Sequence, residues 1–113
     1  MNTDKIVFAH IRVATWAGMH PYGGVTLAMH EEDGAVKLGI AVCHEHDRYV
    51  KAEGRNRARG RLHSRTQENA KFRAELPSTS VAEVFRVING DERNDVLEQE
   101  LTNILRKAGA PLV

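Results

Sequence analysis

Two runs of alternating side chains, joined by four turn residues, constrain this chain more than any other stretch. Val25, Leu27 and Met29 alternate with Thr26 and Ala28. After Glu31-Glu32-Asp33-Gly34 the alternation resumes with Val36, Leu38, Ile40 and Val42. A period of two gathers each apolar set on one face of an extended strand. Asp-Gly tolerates the positive φ that a tight hairpin requires. The two runs are therefore predicted to pair antiparallel. Before them, Lys5 to Thr15 reads as a first strand, with Ile6 and Phe8 facing one way and Val7, Ala9, Ile11 and Val13 the other. Apolar residues on both faces predict a central or covered strand. Trp16 to Gly24, with its glycines and Pro21, is predicted to be a loop.

Lys71 to Leu76 alternates Phe72, Ala74 and Leu76 with Lys71, Arg73 and Glu75, which predicts a fourth strand ended by Pro77. Ser80-Val81-Ala82-Glu83 has the spacing of a capping box. The helix it opens is predicted to run to about Ile88 and to stop at Asn89-Gly90. A last helix is expected from about Asn94 to Lys107, with Leu97, Leu101, Ile104 and Leu105 as its apolar stripe and Gly109 and Pro111 beyond its end. The 113 residues are one domain's worth and bury a single core. The expected fold class is α+β: an antiparallel sheet of about four strands, a basic helix after strand three and two C-terminal helices.

The segment between strands three and four carries the charge. Seven of the sixteen Lys and Arg lie between Arg48 and Arg65, against one acid, Glu53. The net charge is only +1, so the asymmetry is local, with Glu83, Asp91, Glu92, Asp95, Glu98 and Glu100 gathered in the C-terminal third. Val50, Gly54, Ala58 and Leu62 recur every four residues and would form a small-residue seam on a helix. Asp47 is placed to cap that helix. Gly54 and Gly60 oppose it, each by about 1 kcal/mol relative to alanine. An arginine-rich loop that orders on binding is the alternative. In the helical reading Arg57 and Arg61 flank the seam on one side, and Arg48, Lys51, Arg55 and Arg59 on the other. Arginine's planar fork donates two parallel hydrogen bonds to phosphate. The segment therefore predicts a phosphate-bearing ligand; a solvated helix face whose arginine stems cover the seam is the bland alternative.

The stretch Gly39-Ile40-Ala41-Val42-Cys43-x-x-x-Asp47-x-Tyr49-x-x-x-x-Gly54-Arg55-x-x-Ala58-x-Gly60-Arg61-Leu62 resembles a pattern in small proteins of tailed bacteriophages, where a strand ending in Cys is followed by Asp, an aromatic residue, Gly-Arg, Ala and Gly-Arg. The resemblance implies a phage origin. Some phage proteins of similar size and β-then-helix layout, such as the Thoeris anti-defence proteins, sequester cyclic nucleotide signals. That analogy extends to size and layout, and no binding residue is carried over from it.

Other motifs give weaker alternatives. His44 and His46 project to the same side of a strand end and, with Asp47, could ligate zinc or manganese beside the arginines, as in a metal-dependent phosphodiesterase. A further ligand would have to come from His10, His20, His30 or His63. Cys43 is the one cysteine, which excludes an intrachain disulfide and fits a reducing compartment. At the end of an apolar strand it is expected to be a small buried residue. Trp16, His20 and Tyr22 could stack on a base, or plug one end of the sheet. The C-terminal stripe packs on the sheet or dimerises. The acidic region could instead inhibit a basic host protein. No apolar run is long enough for a secretory signal or a membrane span. There is no Walker loop, dinucleotide fingerprint, paired-cysteine metal motif or nucleophile elbow.

The expected function is thus non-enzymatic, cofactor-free binding of nucleic acid or a signalling nucleotide by a cytoplasmic, phage-encoded homodimer or higher oligomer that interferes with a host process. Arg48, Lys51, Arg55, Arg57, Arg59 and Arg61 are the expected phosphate contacts, and Tyr49 or Trp16 the expected base-stacking residue.

Overall fold

The computed structural model describes residues 5–12, 16, 23–43 and 50–110. The alternating runs form the predicted hairpin, β2 (Gly24–Glu32) against β3 (Ala35–Cys43), each longer than its apolar run. Asp33 and Gly34 turn it, with φ of 53° and 75°. Two consecutive positive φ values match the right-handed twist of the flanking strands. β1 (Val7–Ile11) pairs antiparallel with β2, and β4 (Arg73–Leu76) with β3, so the sheet runs in chain order. Helix α1 (Lys51–His63) and a 3-10 segment (Gln67–Phe72) lie between β3 and β4. Helices α2 (Val81–Ile88) and α3 (Asp95–Lys107) complete the α+β fold.

The pleat separates two unequal layers. On one face Ala9, Ile11, Val25, Leu27, Met29, Val36, Leu38, Ile40 and Leu76 meet Val84 and Val87 of α2 and Leu97, Leu101 and Leu105 of α3. This is the main core. On the other face Ala28 and Ala41 meet Ala58 and Leu62 of α1, with Ile6 and Phe8 of β1 alongside. The division of β1 follows its predicted alternation, with Ala9 and Ile11 in one layer and Ile6 and Phe8 in the other.

The C-terminal helices are capped as their sequences dictate. Ser80 Oγ accepts from the Glu83 amide, and Asn94 Oδ1 from the Leu97 amide. The Glu83 carboxylate is held by Thr79 Oγ1 at 3.1 Å and Asn94 Nδ2 at 2.9 Å, tying the start of α2 to the start of α3. Glu31 reaches from the hairpin to accept from the Val81 amide at 2.8 Å. Gly90 and Gly109, at φ of 78° and 86°, follow the ends of α2 and α3 in the left-handed conformation that stops a helix. Among the described residues, no helix is long and apolar enough to cross a membrane.

Three boundaries differ from the sequence expectation. β1 is shorter at both ends than Lys5–Thr15, and residues 13–15 lie outside the described residues. β4 begins at Arg73 rather than Lys71, because the chain leaves α1 through the 3-10 segment, and Phe72 ends that segment while still packing on the main core. Val50 occupies the N-cap of α1, and its own side chain makes no capping hydrogen bond. Asp47 itself lies outside the described residues.

Candidate functional site

Helix α1 lies against β2 and β3 because both partners surrender their side chains. Gly39, Ala28 and Ala41 present almost flat backbone, and Gly54, Ala58 and Leu62 face it as the predicted seam. A Cβ at Gly39 would fall on the Ala58 carbonyl oxygen and the Leu62 backbone, and one at Gly54 on the Thr26 hydroxyl. Ala58 is fully buried and Leu62 nearly so. Val50, the first member of the predicted seam, is instead exposed. The segment is a helix rather than a loop because this close contact offsets the weak helix propensity of its glycines.

The seam fixes where the charges point. Toward β1, Lys51, Arg55 and Arg59 follow one another at four-residue spacing, about 6 Å of helix rise per step. Arg59 lies over the Phe8 ring at 5.2 Å from its centre. His10, on β1, shares a hydrogen bond of 3.1 Å with Thr26. Burial, and then the charges of Lys51 and Arg55, lower the His10 pKa below its ordinary value. The imidazole is therefore uncharged at neutral pH and adds nothing to the repulsion within the row.

Toward β4 the arrangement differs. Arg61 stacks over Phe72 at 3.8 Å and donates Nη1 to the Ile40 carbonyl at 2.8 Å. It pins α1 to the sheet and to the 3-10 segment. Burial, and then the Arg57 charge, lower its pKa. Arg57 is exposed. Among the described residues no ion pair involves Lys51, Arg55, Arg57, Arg59 or Arg61; the pairs that form join other groups.

The remaining expected site residues separate. Trp16 packs against the main core, and its Nε1 is buried without a hydrogen-bond partner among the described residues. That position fits the plug reading of its loop and sets the indole on the layer opposite α1. Arg48 and Tyr49 lie outside the described residues, as do His20, His44, His46 and Asp47. Among the described residues no three His, Cys, Asp or Glu side chains gather as a metal site. Cys43, expected to be buried, is half-buried at the end of β3.

Sequence reasoning missed a cleft of about 360 Å³ beside the C-terminal end of α1. Lys37, Arg65, Arg73 and Glu75 contribute its polar groups, and Leu62 and Ala70 apolar wall. No spacing in the sequence links these residues, since they come from β3, α1, the connection after it, the 3-10 segment and β4. Comparison with known proteins finds no matching family model, no matching curated protein and no matching solved structure.

Proposed function

We propose that this protein binds nucleic acid through the phosphate backbone, using Lys51, Arg55 and Arg59 along one side of α1. The observation that carries this reading is the row of cations at successive turns of α1, none neutralised by an acid among the described residues. Like charges held together on a fixed helix raise the local potential and favour a polyanion that spans the row. An exposed helix favours a polymer over a small ligand, which needs an enclosing wall. Arg61 is left out of the contact set because its guanidinium already serves the packing of α1.

The resemblance of residues 39 to 62 to small phage proteins supplies a setting, in which the protein masks nucleic acid that a host process requires. Gly39, Gly54, Ala58 and Leu62, which carry much of that resemblance, are the packing residues of the α1 seam. The resemblance therefore supports a shared helix-on-sheet arrangement more than a shared ligand. The acidic region gives less support to a protein-inhibitor reading, because Arg86 and Arg93 already engage Glu92, Asp95 and Glu98.

The test is fluorescence anisotropy with labelled duplex DNA and single-stranded RNA across a salt series. Three phosphate contacts on duplex predict a slope of log affinity against log salt of about −3. Absence of binding to both polymers at low salt removes the reading.

A further inference from the structure

A cleft lies at the other end of α1. It opens where the last turn of α1, the 3-10 segment and the β3–β4 pair converge. Lys37 and Glu75 are register partners across β3 and β4, and Arg73 stands two residues before Glu75 on the same side of the strand. Arg65 arrives from the connection after α1. Among the described residues the two arginines are held by backbone and not by acids: Arg73 Nη2 donates to the Thr66 carbonyl at 3.3 Å, and Arg65 Nη1 to the Ser64 carbonyl at 3.2 Å. Those bonds orient both guanidinium groups and leave further N–H donors on each. Arg73 Nε is buried with no hydrogen-bond partner among the described residues. Because Nε is closed to solvent, a ligand in the cleft would meet the outer N–H groups of Arg73 and not Nε.

The acids at this place narrow the ligand. Lys37 Nζ already pairs with Glu32 at 3.4 Å, so the uncompensated charge comes from Arg65 and Arg73. Glu75 adds an acceptor to the same wall, which disfavours a bare polyanion and favours an anion that also carries hydroxyl donors. The volume, about 360 Å³, is at the small end of the range for small-molecule sites, and Leu62 and Ala70 add apolar wall.

We propose that this cleft binds a small phosphorylated molecule bearing hydroxyl groups, of sugar-phosphate or mononucleotide size, with Arg65 and Arg73 on the phosphate and Glu75 on a hydroxyl. The site lies apart from the Lys51–Arg55–Arg59 row and does not depend on nucleic-acid binding there.

The experiment is an amide NMR titration of the whole chain with adenosine 5′-monophosphate, ribose 5-phosphate and adenosine. The expected result is saturable shifts confined to the amides around 37–38, 62–65 and 70–75 with either phosphate ester, and none with adenosine. Equal response to both esters assigns the sugar-phosphate class, and response to the nucleotide alone assigns the nucleotide class. Arg73→Gln and, independently, Arg65→Gln should each weaken binding at least tenfold, whereas Arg55→Gln with Arg59→Gln should leave it unchanged. Because Arg73 also braces the 3-10 segment, the exposed Arg65 variant decides if Arg73→Gln fails to fold. No saturation at millimolar ester overturns the proposal, as do equal shifts with adenosine, shifts centred on Lys51 to Arg59, or wild-type affinity in Arg65→Gln.

Discussion

The two faces of the sheet are built on opposite plans. The α2/α3 face is filled by leucine, valine and isoleucine side chains, its helices are capped by Ser80 and Asn94, and Arg86 and Arg93 pair with Glu92, Asp95 and Glu98. Glu98, nearly buried, is met by the exposed Arg93 at 3.1 Å. The α1 face is held by backbone contact through Gly39, Gly54 and Ala58, the N-cap residue of its helix is Val50, which has no capping group, and its arginines lack acid partners among the described residues. The first plan generates stability by removing large apolar surfaces from water. The second keeps a charged helix in place with little apolar area, so its side chains remain available to an external anion. The contrast separates the layer that folds the protein from the layer proposed to bind.

Truncation in the large-residue layer should produce the largest effect. Leu101 is fully buried in the main core, and Leu101→Ala is expected to lower stability by about 2–5 kcal/mol in urea denaturation. In the α1 layer the sensitivity should be reversed, with addition harmful where truncation has nothing to remove. Gly39→Ala places one methyl against the backbone of Ala58 and Leu62 and is expected to cost about 1–3 kcal/mol. A variant as stable as the parent would show that α1 does not seat on Gly39.

Gly60 sharpens the same point, because it belongs to the same helix and would meet nothing within 4 Å. Gly60→Ala should raise stability by about 1 kcal/mol, the helix propensity difference alone. Opposite signs for Gly39→Ala and Gly60→Ala in one denaturation series would establish that the contact, and not the residue type, sets the outcome.

The smallest effect is on pH dependence. The pKa of His10 is lowered in the folded chain by burial and by Lys51 and Arg55. The unfolded chain therefore binds more protons, and this contribution to stability is present above the ordinary imidazole pKa and is lost as pH falls through and below it. His10→Gln should flatten the stability profile on the acid side. An anion bound at Lys51 and Arg55 should raise the His10 pKa, read from its imidazole shifts in an NMR pH titration; an unchanged value with nucleic acid bound would place the anion elsewhere.

Much of the fold is legible in the sequence because its signals are local. The β2–β3 hairpin follows from alternation around Asp33-Gly34, α2 from Ser80 and the Asn89-Gly90 stop, and α3 from the stripe Leu97, Leu101, Ile104 and Leu105. Helix α1 is harder, because glycine and alanine leave its buried side with little hydrophobic signal, and its stability resides in a sheet glycine distant in sequence. The arginine row is visible as composition, but the divergent roles of Arg59 and Arg61 are not. Arg61 acquires its structural role only when the fold brings Phe72 and the Ile40 carbonyl to it. The cleft is invisible for the same reason, since Lys37, Arg65 and Arg73 meet only in three dimensions.

The most direct test of the central claim measures folding and binding in one variant. Arg55→Gln with Arg59→Gln should retain the thermal midpoint of the parent or raise it slightly, since two like charges are removed from a helix that the seam holds. The same variant should lose affinity for duplex DNA and reduce the salt slope by about 2, one for each lost phosphate contact. Unchanged affinity and slope in a folded variant would contradict the account.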